Sequence, residues 1–327
     1  MELPLEKSKK EILVKKESKI SDKYGCRLEK RKVEELINYG IVNINKPKGP
    51  TSHEVSAFVQ KILNIKKSGH SGTLDPRVTG VLPIALGRAT KIVQYLLSAG
   101  KEYIAIMHLH KEVDETKLRS IIENEFIGEI KQLPPIKSAV KRQIRAKKIY
   151  YIEIMEIKER DILMIIGCEA GTYIRKLMHD IGQQLGCGAH MSELIRTKAA
   201  LFNDKEMWTL QDLTDAYYFY KKENNEKFIR KIIQPVEKAV DHLKKIWVVD
   251  SAINSLCHGA NLKIPGISKL NNKIIADEDV AIFSLKNELI AAGKAKMDSN
   301  FIMLHDKGIA VKINHVFMIP EIYPKFN

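Results

Sequence analysis

The chain has 327 residues, 44% of them hydrophobic, and carries 54 Lys and Arg against 40 Asp and Glu, a formal net charge of +14. That length suits two domains with a sizeable core, and the charge predicts a polyanionic partner, most often nucleic acid. The absence of an apolar run of membrane-spanning length, of a secretory apolar segment in MELPLEKSKKEILVKK and of any C-x-x-C pair among Cys26, Cys168, Cys187 and Cys257 excludes a membrane span, a disulfide framework and a cysteine zinc site. The expected setting is a reducing cytoplasm.

Residues 1–36 hold 11 Lys and Arg against 8 Asp and Glu, so they supply only +3 of the net charge. They lack sustained periodicity and read as a basic flexible tail with a short amphipathic piece near Val33–Leu36. In GIVNINKPKGPTSHEVSAFVQKIL an alternating strand ends in a Pro/Gly turn. Thr51 and Glu54 then match a capping box, and Val55, Phe58, Val59 and Ile62 share one helical face.

GHSGTLDPRVTGVLPI, residues 69–84, places one carboxylate, Asp75, in a glycine-rich loop that leads into an apolar strand. ATKIVQYLLSAG reads as a helix stopped at Gly100. KEYIAIMHLH alternates as a strand with Tyr103, Ala105, Met107 and Leu109 on one face. A basic loop follows and carries Lys137, Lys141, Arg142, Arg145, Lys147 and Lys148 without an acid, then two strands. GTYIRKLMHDIGQQLG is a helix with Ile174, Leu177, Met178, Ile181 and Leu185 as its buried stripe. YYFYKKENNEKFIRK reads as a solvated connection. From about Lys245, short strands alternate with Gly/Asn/Asp turns, the pattern of a small β-barrel that folds as its own unit.

Asp before Pro is commonly a turn residue. Here the glycines let a backbone approach a ligand closely, and the apolar strand anchors the loop. A strand Tyr such as Tyr103 and a Leu such as Leu194 read first as core. Arg175 lies off the apolar stripe of its helix, in the first turn, where the helix dipole disfavours a cation unless a carboxylate pairs with it.

Several segments, in order, resemble the pseudouridine synthase family that includes bacterial tRNA pseudouridine-55 synthase B and archaeal and eukaryotic dyskerin. NKPKGPTSHE resembles its first motif, GHSGTLDPRVTGVLPI its nucleophile motif, KEYIA its tyrosine strand and GCEAGTYIRKLMHDIG its arginine motif. LPPIKSAVKRQIRAKKIYYIEIMEI and GAHMSEL look dyskerin-like, and the chain from VDSAINSLCHGANLKIPGI onward resembles a PUA RNA-binding domain. The likeness runs from about Glu35 to Lys325. It departs at Ile195, where the family usually has an arginine, and at AALF, where it has a Gly-Pro-Phe ending.

The resemblance implies an α+β pseudouridine synthase fold, a mainly antiparallel mixed sheet with flanking helices, over 37–242, and a PUA barrel over 245–327. It implies isomerisation of uridine to pseudouridine without metal or organic cofactor. Asp75 would be the nucleophile on a flipped-out uridine, Arg175 its partner cation and Tyr103 the stacking ring. Leu194 and His70 would belong to the substrate pocket, and the basic loop would meet phosphate. A nucleophilic carboxylate must stay ionised as water leaves, which calls for such a cation. The implied partners are tRNA, or a box H/ACA guide RNA with its target and small ribonucleoprotein subunits; HLHKEVDETKLRSII, short where the stand-alone bacterial type carries a long insertion, favours the guided type. Basic charge and a PUA-like domain alone would also suit a non-catalytic RNA-binding scaffold, which has no need of the Asp75, Tyr103 and Arg175 set. The zinc deaminase signature and a Walker A loop are absent.

Overall fold

The computed structural model describes residues 2–4, 6, 10–134 and 141–325. Two mixed sheets organise it. The larger runs in the order β11 (Ile233–Pro235), β2 (Gly40–Lys46), β4 (Thr79–Leu86), β9 (Ala189–Ala199), β5 (Lys101–Leu109), β8 (Asp161–Cys168), β7 (Arg145–Lys158), β6 (Gly128–Gln132). Beside this path β3 (Ser68–His70) pairs with β4 and β10 (Phe202–Asn203) with β9. All these pairings are antiparallel except the short β4–β9 contact, Thr79↔Ile195 and Gly80↔Arg196. The smaller sheet runs β1 (Ile12–Val14), β14 (Ile267–Asn271), β12 (Lys244–Val248), β15 (Asp279–Ser284), β16 (Leu289–Ala295), β17 (Ile309–Val316), β13 (Leu262–Lys263).

The sequence patterns become faces as periodicity requires. Tyr103, Ala105, Met107 and Leu109 of β5 are buried against Ile174, Leu177, Met178 and Ile181 of the helix Ile174–Leu185. The helix Ser52–Leu63 starts at the Thr51–Glu54 capping box and buries Val55 and Val59, while Phe58 stays exposed at the edge of that face.

Residues 1–36, expected as a flexible tail, instead build into the fold where they are described. β1 adds an edge strand to β14, pairing Leu13 with Leu270. Leu3 is buried, and the Lys10 ammonium donates to the carbonyls of Asp241 (2.5 Å) and Leu243 (3.0 Å). Arg31 makes a two-armed buried bond to Glu237, 2.9 Å on each arm, and Glu237 also accepts from the Leu289 N–H at 3.1 Å. The signals are long-range, a three-residue strand and single buried ions, and local periodicity does not register them. YYFYKKENNEKFIRK is likewise not a bare connection. Most of it lies on the helices Leu210–Glu223 and Lys227–Ile232; the first opens on a Thr209–Asp212 capping box, with Leu213, Ala216 and Tyr220 buried. ATKIVQYLLSAG divides between a 3-10 turn, Gly87–Ile92, and a short helix, Val93–Leu97.

The two sheets share a core. Tyr39, Ile41, Tyr95, Leu96 and Phe202 from the larger unit pack with Trp247, Phe283, Leu289 and Phe317 from the smaller one, and Tyr95 Oη lies 3.1 Å from His315 Nδ1. His242 sits in the same zone. Its Nε2 meets the Tyr95 carbonyl at 3.0 Å, while its buried Nδ1 has no partner among the described residues. Charging the ring would put an N–H at Nδ1 with nothing to accept it, and burial pushes the His242 pKa down to about 4. Between pH 6.5 and 4 the unfolded chain then holds a proton that the folded chain refuses, so stability falls as pH drops through that window, by up to roughly 3 kcal/mol from this ring. His242→Asn is expected to flatten the slope of melting temperature against pH over this range; an unchanged slope would remove His242 from the account.

Candidate functional site

Asp75 lies in the connection between β3 and β4, and that connection is fastened through its backbone. The Leu74 N–H donates to Ser52 Oγ at 2.8 Å, the Val78 N–H to the Asp75 carbonyl at 2.9 Å, the Ser71 N–H to the Pro83 carbonyl at 3.0 Å and the Gly49 N–H to the Pro76 carbonyl at 2.9 Å. Gly72 and Gly80 take φ values of +132° and +102°, and a Cβ on Gly80 would stand 2.3 Å from the Arg196 carbonyl. Both glycines are therefore required by geometry.

Two buried cations that sequence reading missed complete the fastening. Lys46, fully buried at the end of β2, donates to the carbonyls of Pro47 (2.9 Å), Val78 (2.9 Å) and Pro76 (3.3 Å). Burial pushes its pKa below the ordinary lysine value, and the Asp75 charge works against that fall. Arg196, buried on β9, donates from Nε to the Val81 carbonyl at 2.7 Å and from Nη2 to the Gly72 carbonyl at 3.3 Å, and its charge acts on the Tyr103 phenol. One guanidinium thus holds both ends of the Asp75 loop within electrostatic reach of the tyrosine. The available signal was a cation interrupting each apolar strand, Lys46 in IVNINK and Arg196 in LIRTKA; a buried cation is rare unless it is bound.

Arg196→Met would leave the Gly72 and Val81 carbonyls short of a donor. Relief from burying a charge offsets part of that loss, so the expected stability cost is about 1–3 kcal/mol. Misplacement of the loop is expected to slow single-turnover chemistry by roughly 10- to 100-fold. Thermal melts beside rates at saturating RNA check this, and an unchanged rate would separate Arg196 from the site.

The Arg175 Nη2 donates to Asp75 Oδ2, which joins two segments a hundred residues apart. The pair stands at a cleft of about 770 Å³ whose lining also includes Lys48, Arg77, Met191, Glu193 and Leu194. The Asp75 and Arg175 side chains are 53% and 57% exposed, so the dry setting expected for the carboxylate is not built by the protein alone; water must be displaced by whatever fills the cleft.

Tyr103 is 9% exposed and lies behind the Asp75 loop in one cluster with Leu74, Val78 and Leu194. Burial raises its phenol pKa, and the Arg196 charge opposes the rise. Leu194 lines the cleft. His70, at the end of β3, sits edge-on to His53 with centroids 4.7 Å apart, and its buried Nδ1 has no partner among the described residues. Burial, then the His53 and Arg196 charges, push its pKa down to about 4, so it is a neutral ring near pH 7.

Of the basic loop, Lys137 lies outside the described residues. Lys141, Arg142 and Lys148 are exposed, and Arg145 begins β7. Lys147 is engaged instead, donating to Glu169 Oε1 at 2.9 Å and to the Ala170 carbonyl at 2.7 Å. Gln132, just before the loop, exchanges two bonds with the Tyr173 backbone, 3.2 and 3.0 Å, which ties the end of β6 to the segment that carries Arg175. Among the described residues no group of three His, Cys, Asp or Glu could hold a metal ion, and no helix is long and apolar enough to cross a membrane.

Residues 60–174 match the family described as TruB family pseudouridylate synthase (N terminal domain), 175–241 the tRNA pseudouridylate synthase B C-terminal domain, 244–317 the PUA domain and 1–56 the DKCLD (NUC011) domain. The chain is 54% identical to "Probable tRNA pseudouridine synthase B" of Pyrococcus abyssi over 97% of its length and 95% of the relative's. It is 52% identical to the protein so described in Nanoarchaeum equitans, over 99% and 92%. Among solved structures it superposes on the matching chain of a Cbf5-Nop10-Gar1 complex with a TM-score of 0.94 at 53% identity, covering 99% of this chain and 98% of that one. With a chain of an H/ACA RNP bound to a substrate RNA containing 2'-deoxyuridine the TM-score is 0.93 at 50% identity, covering 99% of each.

Proposed function

The chain belongs to the TruB family of pseudouridylate synthases and is an isomerase that makes pseudouridine from uridine, and from that premise we propose that Asp75 is its nucleophile and that Arg175 holds and balances the carboxylate. The observation that carries this is the Asp75–Arg175 pair at the cleft, on a loop fastened by four backbone hydrogen bonds and two buried cations. In this reading a uridine turned out of its RNA enters the cleft and displaces water from the pair, which strengthens the electrostatic contact. Asp75 attacks the uridine at ribose C1′ or uracil C6, the N1–C1′ bond breaks, the uracil rotates, and C5 bonds to C1′; the bond to Asp75 then breaks and returns the carboxylate, while C5 loses its proton and N1 gains one. Tyr103 and Leu194 bound the place of the base, and His70 supports the loop as a neutral ring. Lys141, Arg142 and Lys148 are the described loop cations free to meet phosphate, with Arg145 beside them and Lys147 committed to Glu169. No cofactor enters this reaction.

The substrate is RNA addressed in one of two ways. The relatives' description points to tRNA, where the family resemblance makes uridine 55 the target. The solved relatives point to an assembly with a guide RNA and with proteins like Nop10 and Gar1. The short connection between β5 and the helix Glu115–Ile121 favours the guided route, since it leaves no inserted element to grip an RNA fold alone. We assign the protein to the cytoplasm, where its four free thiols stay reduced. The test is to incubate the purified protein with a tRNA transcript, and separately with an ACA-ended guide hairpin, its target and the small subunits, and then map pseudouridine by carbodiimide-dependent reverse-transcription stops. Product in the guided reaction supports the reading, product with tRNA alone supports the second route, and product in neither would overturn both.

A further inference from the structure

A second cavity, of about 930 Å³, lies away from the Asp75 cleft, in the groove between the two sheets' units. Its floor is apolar, with Ile37 and Leu63 on one side and Phe317 and Met318 on the other. Its rim carries Lys66, Lys67, Arg88, Lys91 and Lys221 against one lining acid, Glu34. Two of these cations are occupied: Arg88 stacks over Tyr39 at 4.6 Å, and Lys221 over Tyr220 at 4.8 Å. Glu34 is engaged as well, accepting from the Tyr220 hydroxyl. Lys66, Lys67 and Lys91 are exposed, and their side chains make no hydrogen bond or ion pair among the described residues.

The groove is connected to the active loop by one rigid element. The helix Ser52–Leu63 touches the Asp75 loop at its first residue, through Ser52 Oγ and the Leu74 N–H, and lines the groove with its last residue, Leu63. Twelve residues of helix put these two ends roughly 18 Å apart. From Lys67 the chain enters β3 and reaches Asp75 eight residues on.

We propose that this interdomain groove binds the phosphate backbone of the same RNA whose uridine enters the Asp75 cleft, at the far end of the helix Ser52–Leu63 from the Asp75 loop, with Lys66, Lys67 and Lys91 as its contacts. The inference rests on the synthase reading and names where a larger substrate gains affinity that a minimal one lacks. Three unpaired lysines beside a single committed acid suit a polyanion, and phosphate contacts supply sequence-independent affinity that weakens with salt. The shared core beneath the groove fixes the two walls relative to each other, so the distance from groove to cleft acts as a ruler.

The test compares a full-length tRNA transcript with the isolated stem-loop that carries its target uridine, for the wild-type chain and for Lys66→Gln/Lys67→Gln/Lys91→Gln. The variant is expected to bind the transcript about 10-fold or more weakly near physiological salt, and the slope of log K against log salt should be shallower by roughly two to three. Stem-loop affinity and single-turnover rate at saturating RNA should stay at wild-type values. Unchanged transcript affinity and slope would overturn the groove and leave it for a protein partner. A wild-type chain that binds transcript no more tightly than stem-loop would overturn it too. Absence of pseudouridine from the wild-type chain both on tRNA and in the guided assembly with its small subunits would instead strike the synthase reading, which separates the two failures.

Discussion

Replacing Asp75 by Asn is expected to abolish pseudouridine formation while leaving the fold and the RNA affinity close to wild type. The amide has the shape of the carboxylate but not its charge, so it cannot form the covalent bond on which the rearrangement depends. Loss of a nucleophile typically costs about 10⁴-fold or more in turnover. The loop itself should not move. Its anchors run through backbone groups of Leu74, Pro76 and Val78, held by Ser52 and Lys46, and through the Gly72 and Val81 carbonyls, held by Arg196. None of them uses the residue-75 side chain. The exposed Arg175 pair contributes only about 0–1 kcal/mol to stability. Arg175 is freed by the change, so RNA binding should hold or tighten slightly. Mass analysis of the RNA product, melting curves and binding isotherms read the three expectations separately. Near-normal product would remove Asp75 from the chemistry; lost product with a collapsed melting temperature would make its role structural.

The second large effect is on folding. Strands and turns from Lys245 onward look like a separable unit, yet a chain cut there is expected not to fold cooperatively. Removing residues 245–327 takes Trp247, Phe283, Leu289 and Phe317 out of the core they share with Tyr39, Ile41, Tyr95 and Phe202. At about 1.5–3 kcal/mol for each buried side chain, four such residues amount to roughly 6–12 kcal/mol, comparable to the about 5–15 kcal/mol that holds a typical protein together. The cut also leaves β1 without β14, and Glu237 without the Leu289 N–H. Calorimetry of the full chain should show one transition that includes both sheets, and the truncated chain should show none. A cooperative melt of the truncated chain, with turnover on a stem-loop, would mean that the shared core is dispensable.

These two cases mark what the sequence discloses and what it conceals. Asp75, Arg175 and Leu194 sit in short local motifs, and the folded chain brings all three to one cleft although they are far apart in sequence. The buried stripes of β5 and of the helix Ile174–Leu185 follow from periods of two and 3.6. Lys46 and Arg196 were hidden because a strand cation reads as a solvent-facing residue until its acceptors are known, and those acceptors are carbonyls of a distant loop. β1 and the Arg31–Glu237 bond are contacts over more than two hundred residues, and the shared core joins residues from both sheets, none with a local pattern. The placement of Tyr103 differs in a way only packing could decide: it lies behind the loop in the Leu74 and Val78 cluster, so its ring meets a base only when that base has entered deeply.

The most direct measurement is the structure of Asp75→Asn bound to an RNA that carries the target uridine. The expected result is a uridine turned out of the RNA into the cleft beside Leu194, its reacting carbon within about 3–4 Å of the residue-75 side chain, with Arg175 directed at the same point and water displaced. A uridine held elsewhere on the surface, with residue 75 and Arg175 still open to solvent, would contradict it.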